Sequence, residues 1–227
     1  MSKKDLDIKR AHVRELAAEF AGRGDALGWF DALYREAAGD TEIIPWGDLE
    51  PNRFFRDWAE RTGLKGEGRK ALVIGCGLGD DARYLYDLGF KVTAFDISPA
   101  AIEWARRLHK DTDIQFEVAD LFGPLRDWIG AFEFVLEIYT IQPLPIEMRS
   151  RVIDAVSSFV ALAGRLVVVT RGRADDETPE QLPWPLSRRE LARFAENGLI
   201  EIDFREIWDD EDEQIRFVVE YVREDSK

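Results

Sequence analysis

The run Ala71-Leu72-Val73-Ile74-Gly75-Cys76-Gly77-Leu78-Gly79-Asp80-Asp81 limits this chain more than any other stretch. Four apolar residues in succession read as a buried parallel strand. Glycine at every second position then forces a tight turn into a helix. With so few β-carbons in the turn, a ligand can lie on the backbone over the helix N-terminus. Asp96 closes a second apolar run, Val92-Thr93-Ala94-Phe95, 21 residues after Gly75. An acid at about that spacing is placed to take the two hydroxyls of a ribose. The expected ligand therefore contains an adenosine.

The residues after the glycines narrow the choice. A dinucleotide fingerprint, G-x-G-x-x-G, needs glycine at position 80, where this chain has aspartate followed by a second aspartate. Two carboxylates in the first helical turn oppose a pyrophosphate but suit a ligand carrying an ammonium and a sulfonium. S-Adenosyl-L-methionine is such a ligand, and S-adenosyl-L-homocysteine is its product after methyl loss. A nicotinamide-dependent oxidoreductase is the rival that Asp80 disfavours, and a non-catalytic sensor of the same nucleoside is a second alternative.

Strand and helix patterns alternate along the chain. Helices are expected at 5–22, 53–62, 79–88, 99–109, 146–161 and 188–197, with a short one around Gly28-Tyr34. Strands are expected at 71–74, 91–95, 114–118, 132–136 and 166–169, and runs 200–207 and 214–223 pair as an antiparallel hairpin. Ser98 before Pro99 and Ser187-Arg188-Arg189-Glu190 are helix starts. The fold class expected is α/β: a Rossmann-like, doubly wound, mostly parallel seven-stranded sheet with an antiparallel C-terminal hairpin, one antiparallel strand at the sheet edge, and an N-terminal helical cap. Residues 1–65 form the expected cap or lid and residues 66–227 the nucleotide-binding domain, as one globular unit.

Bulk properties exclude other classes. Across 227 residues the net charge is −14, which argues against a surface that tracks nucleic-acid phosphates. No apolar leader follows Met1-Ser2-Lys3-Lys4, no run is long enough to cross a bilayer, and the single cysteine forms no internal disulfide, so a cytoplasmic location is expected. Cys76 reads as a small residue filling the glycine turn. Residues 201–227 hold eleven acids against four bases. Their core, Asp209-Asp210-Glu211-Asp212-Glu213, reads as a solvated hairpin tip, and no metal is expected.

Several side chains are candidates for the site. Asp120, just past the third strand, either accepts from an adenine amino group or makes a turn. Glu137 and Tyr139, at the carboxyl end of the fourth strand, face the crevice where an acceptor would lie. Arg171 and Arg173 open a long loop that ends in Pro183-Trp184-Pro185. They either hold an anionic acceptor at the rim or are surface charges. Trp29, Phe30, Tyr34 and Trp46 are core residues or an aromatic lid, with Trp29 favoured as core and Trp46 open; aromatic faces attract a sulfonium as they do other cations. His109, at a helix C-terminus, reads as solvated or dipole-paired, and His12 reaches the site only if the N-terminal helix folds over it.

Taken together, Val73-Ile74-Gly75-Cys76-Gly77-Leu78-Gly79-Asp80, Phe95-Asp96-Ile97-Ser98 and Ala119-Asp120-Leu121 resemble class I S-adenosylmethionine-dependent methyltransferases. Ile44-Pro45-Trp46-Gly47-Asp48 and the segment Glu137-Ile138-Tyr139-Thr140 to Arg149 look like the thiopurine and thiol/halide methyltransferase group. The resemblance implies cofactor contacts from Trp46, Gly75, Cys76, Gly77, Gly79, Asp80, Asp96, Ile97, Ser98, Asp120, Leu121 and Glu137. Class I enzymes often have an acid two residues before the first glycine; Val73 stands there, so Asp80 or Asp81 would have to meet the ligand's ammonium. The reading is completed by Glu137 and Tyr139 as catalytic candidates and by Tyr34, Tyr139, Arg171 and Arg173 around a small S, N or O acceptor, aromatic or heterocyclic. The protein is expected as a monomer or homodimer, with no nucleic-acid or membrane partner.

Overall fold

The computed structural model describes residues 3–123 and 125–224; the first two residues of the expected cap and the last three of the expected domain lie outside them. Seven strands, β1 (Lys70–Ile74), β2 (Lys91–Asp96), β3 (Gln115–Val118), β4 (Phe132–Ile138), β5 (Val160–Arg171), β6 (Leu199–Asp209) and β7 (Gln214–Arg223), form one sheet. Their order is β3-β2-β1-β4-β5-β7-β6. The first five run parallel and β7 runs antiparallel to both of its neighbours.

Alternation along the parallel strands builds two apolar layers. Ile74, Val135, Leu166 and Val168 face Val152 and Val156 of α6 (Arg149–Ser158). Val73, Phe134, Leu136 and Val167 face Phe55 and Trp58 of α3 (Arg53–Thr62), Ala82 and Leu85 of α4 (Asp80–Asp87), and Ile102 of α5 (Pro99–Leu108). A third cluster joins α1 (Lys3–Gly22) and α2 (Trp29–Ala37) to the glycine turn: Val13, Trp29, Leu33 and Tyr34 pack with Leu78, Trp104 and Leu182. The N-terminal helices are thereby seated beside the first strand–helix turn.

Caps set the helix boundaries. The Asn52 side chain accepts from the amides of Phe54 and Phe55 to start α3, and Ser98 accepts from Ala101 to start α5. The expected helix 188–197 begins with its capping box but breaks into α7 (Arg188–Leu191) and α8 (Arg193–Glu196).

Three expectations are corrected. The helix expected to reach residue 161 stops at Ser158, and β5 begins at Val160, paired with Phe132. A left-handed Ala163 (φ 58°) and a crowded Gly164 kink the strand there, and a register shift absorbs the extra residues. Val156 and Phe159 continue the helical spacing across that boundary and hide it. The antiparallel strand is not the sheet edge: β7 lies inside, with every residue from Arg216 to Tyr221 buried, and β6 takes the edge. The acidic turn is not fully solvated either. Asp209 is 4% exposed, and both it and Asp212 are gripped by arginines.

Candidate active site

All three glycines of the turn have left-handed backbone, with φ of 59° at Gly75, 53° at Gly77 and 89° at Gly79. Each is also crowded. A β-carbon at Gly75 would lie 2.5 Å from Thr140 Oγ1, at Gly77 2.8 Å from the Tyr34 hydroxyl, and at Gly79 2.8 Å from the Phe116 ring. Glycine is required there on both counts. His109 fastens the turn from behind: its Nε2 lies 2.9 Å from the Leu78 carbonyl and its ring stacks on Phe116. This corrects the solvated role expected for His109; burial pushes its pKa down, which keeps it neutral.

Asp96, at the end of β2, is buried. Its Oδ2 accepts from the Gly77 amide at 3.0 Å and its Oδ1 from the Ser98 amide at 2.9 Å. A carboxylate has about four lone-pair sites, so capacity remains for a ligand's hydroxyls. Burial raises its pKa and the surrounding amides oppose the shift. Asp31 of α2, which sequence reasoning missed, accepts from Ser98 Oγ at 2.8 Å and from the Ala100 amide at 3.0 Å. It pins the cap to the same strand end, and nothing in its local sequence marks it for that role.

The cap contributes a roof. Trp46 Nε1 donates to the Tyr34 hydroxyl at 2.8 Å, directly over Gly77, and the Trp46 ring is 40% exposed. Trp46 and Tyr34 thus take the lid position, while Trp29 is core, stacked on Phe30. His12 on α1 instead pairs with Glu36.

Three carboxylates gather at the start of α4. Burial, then Asp48, pushes Asp80 up to about 6. Burial pushes Asp81 to about 7, with Asp80 and Asp48 adding to the shift, while its Oδ1 accepts from the Asn52 amide at 2.7 Å. Asp48 is raised as well, by burial first. Among the described residues none of the three meets a lysine, arginine or histidine in a salt bridge. Asp80 and Asp81 are half-buried and Asp48 is exposed; like charges partly withdrawn from water without a counterion are costly, so a cationic ligand would relieve them. No group of acids, histidines and cysteine among the described residues is arranged to hold a metal.

The two catalytic candidates are not brought together. Glu137 is fully buried in register with Ile74 and Val168, on the α6 face of the sheet. Its Oε1 accepts from the amides of Thr140 and Ile141, and its Oε2 has no partner. Burial pushes its pKa up to about 7. It holds the turn that carries Tyr139 and Thr140, and Thr140 Oγ1 in turn donates to Ile74 at the end of β1. Tyr139 packs on the opposite face, with φ 56°, a conformation that costs a non-glycine residue about 1–2 kcal/mol. It faces Asn52, Arg216 and Arg171. Burial raises its pKa against the two arginines, so at neutral pH the phenol is a hydrogen-bond donor and not a base.

Arg173 does not point its donors at an acceptor. It bonds the carbonyls of Ala174, Glu177 and Pro185 and the Glu190 carboxylate. With Arg149, which donates to Trp184 and Pro185, it braces the loop that ends in Pro183-Trp184-Pro185. Arg171 lies beside Tyr139, paired with Asp212 at 3.1 Å. Gln142 tethers the end of β5 by accepting from the Arg171 amide at 2.9 Å. Asp120 is exposed and accepts from the Phe122 amide, a turn role; Leu121 packs against the main core, and half-buried Cys76 fills the turn.

Comparison with known proteins fits this geometry. Residues 71–164 match the family model of a methyltransferase domain. The fold of that methyltransferase domain is shared with solved structures of low identity. One, from a study of the conversion of a disulfide bond into a thioacetal group during echinomycin biosynthesis, is 24% identical, with a TM-score of 0.67 over 86% of this chain and 91% of that one. The 1,6-didemethyltoxoflavin-N1-methyltransferase of Burkholderia thailandensis, solved with S-adenosylhomocysteine, is 17% identical, with a TM-score of 0.65 over 92% and 91%. A [4+2]-cyclase, SpnF, is 16% identical, with a TM-score of 0.64 over 77% and 81%. The family match spans the glycine turn, Asp96 and Glu137, and the solved structures share the fold that carries them. The seven-stranded sheet with its C-terminal hairpin is the fold of these structures.

Proposed function

We propose that this protein transfers a methyl group from S-adenosyl-L-methionine to a small S, N or O acceptor, aromatic or heterocyclic, bound beside Tyr139 beneath the N-terminal cap. The observation that carries the reading is the acidic trio of exposed Asp48 and half-buried Asp80 and Asp81, which meets no lysine, arginine or histidine in a salt bridge among the described residues and stands next to a glycine turn that no β-carbon can enter. The trio would take the ammonium, the amides of the turn the carboxylate, and Asp96 the ribose hydroxyls. Ile97 and Ser98 would border the adenosine, with Asp120 and Leu121 at its outer edge.

The cofactor supplies an activated methyl group bonded to a sulfonium. The protein's work is then chiefly to exclude water and align the acceptor for in-line attack. Trp46 and Tyr34 close the turn from above, and Tyr139 orients the acceptor as a donor. Glu137 acts through the turn it holds. The resemblance to the thiopurine and thiol/halide group makes a sulfur acceptor the first to test. A cytoplasmic monomer or homodimer completes the reading.

The test is calorimetry with S-adenosyl-L-homocysteine and NADH, followed by a screen of thiols, phenols and N-heterocycles with labelled donor. Binding of the first nucleoside and a labelled product support the proposal. Tight NADH binding with none of the other overturns it. Binding without a product from any acceptor class would favour a sensor.

A further inference from the structure

Beside Tyr139 lies a concentration of arginines that the proposed transfer does not by itself require. Asp212, at the tip of the β6–β7 hairpin, receives three guanidinium groups. Arg10 of α1 binds it through both carboxylate oxygens, at 2.7 and 2.8 Å, Arg171 of β5 at 3.1 Å, and Arg216 of β7 also contacts it. Asp209 receives Arg216 at 2.9 Å and also Arg53. In these contacts four guanidiniums meet buried Asp209 and half-buried Asp212, and the further acid paired with Arg53, Glu211, is 79% exposed.

A strap between α1 and the hairpin needs only the Arg10–Asp212 pair. The other charges cost stability. Arg171 and Arg216 stand directly opposite each other on antiparallel strands, an arrangement in which like charges repel. Arg216 is 3% exposed, its Nε has no partner, and its guanidinium carbon lies 5.7 Å from the centre of the Tyr139 ring. Arg10 and Arg216 both act on Arg171 to disfavour its charged form, after burial itself. An added anion beside Tyr139 would relieve all of these.

Resting on the methyl-transfer reading above, we propose that the acceptor bears a carboxylate or similar small oxyanion, held beside the Tyr139 ring by Arg171 with Arg10 and Arg216. Asp212 keeps the three guanidiniums together, and Arg10 makes the N-terminal helix part of the acceptor site. Arg173, occupied with its loop, has no part in it.

The probes are benzoate and its neutral isostere benzamide, titrated calorimetrically into the full chain saturated with S-adenosyl-L-homocysteine. Benzoate is expected to bind at least about tenfold tighter than benzamide, as charge-assisted bidentate bonds to arginine require. Arg171→Gln should remove about tenfold of that preference, Arg171→Lys less, and all variants should bind the nucleoside as the wild type does. Arg10→Gln, on a half-exposed helix face, tests the same site should Arg171→Gln misfold. Equal binding of the two probes, no benzoate binding, or unchanged benzoate affinity in both glutamine variants would overturn the anion site alone. Failure to bind the nucleoside would instead overturn the methyl-transfer reading.

Discussion

The Tyr34 hydroxyl accepts a hydrogen bond from the Trp46 indole at 2.8 Å and lies 2.8 Å from the place a β-carbon on Gly77 would occupy. A cap residue, a loop residue and the glycine turn are therefore fitted to one another. Tyr34→Phe leaves the indole N–H without its partner and loosens the roof while preserving the ring packing. Affinity for S-adenosyl-L-homocysteine should fall about three- to tenfold, the worth of one net hydrogen bond, with little loss of melting temperature. Titration followed by calorimetry checks this, and an unchanged affinity would remove the roof from the cofactor site.

Gly77→Ala separates crowding from backbone strain when set beside Gly39→Ala. Both glycines have positive φ, 53° and 97°, but nothing lies within 4 Å of a β-carbon at Gly39. Each variant bears the left-handed penalty of about 1–2 kcal/mol. Only Gly77→Ala should abolish nucleoside binding.

The pH dependence of stability follows from buried Glu137 and half-buried Asp80 and Asp81. Asp80 at about 6, and Asp81 and Glu137 at about 7, lie above their ordinary values, so the folded state holds protons that the unfolded state has released. Their contribution is present below about pH 4 and is lost as pH rises through 6 and 7. His109 is shifted down, so its contribution is lost in the other direction, below about pH 6.5. With three acids against one histidine, the free protein should melt at lower temperature at pH 8 than at pH 6. Asp81→Asn should flatten that slope. A melting temperature that rises over this interval would contradict the assignment.

Glu137 offers a test of role. Glu137→Gln keeps an oxygen for the Thr140 and Ile141 amides and removes the buried charge, so stability at pH 8 should hold or improve. Glu137→Ala leaves two amides unpaired and should cost about 2–4 kcal/mol in denaturant unfolding. Loss of transfer in Glu137→Gln with folding and nucleoside binding intact would make Glu137 a catalytic base.

The legible parts of the fold were those with local causes. Glycine turns, caps such as Ser98 and Ser187, and strand alternation act within a few residues, and the elements around Gly75 and Asp96 stand where their spacing puts them. What escaped depends on pairs distant in sequence. Asp31 meets Ser98 across 67 residues and Arg10 meets Asp212 across 202, and no periodicity announces either. The start of β5 was hidden because Val156 and Phe159 suit a helix and a strand end equally. Glu137 and Tyr139, two residues apart, lie on opposite faces of the sheet because Tyr139 is left-handed, which no alternation announces.

The most direct test is calorimetry of S-adenosyl-L-homocysteine near pH 6.5, in two buffers of different ionisation enthalpy, on the wild type and Asp80→Asn. The ligand's ammonium should lower the pKa values of the acidic trio, so binding should release protons, and the variant should bind more weakly and release fewer. No binding, or binding without proton release in the wild type, would contradict the account.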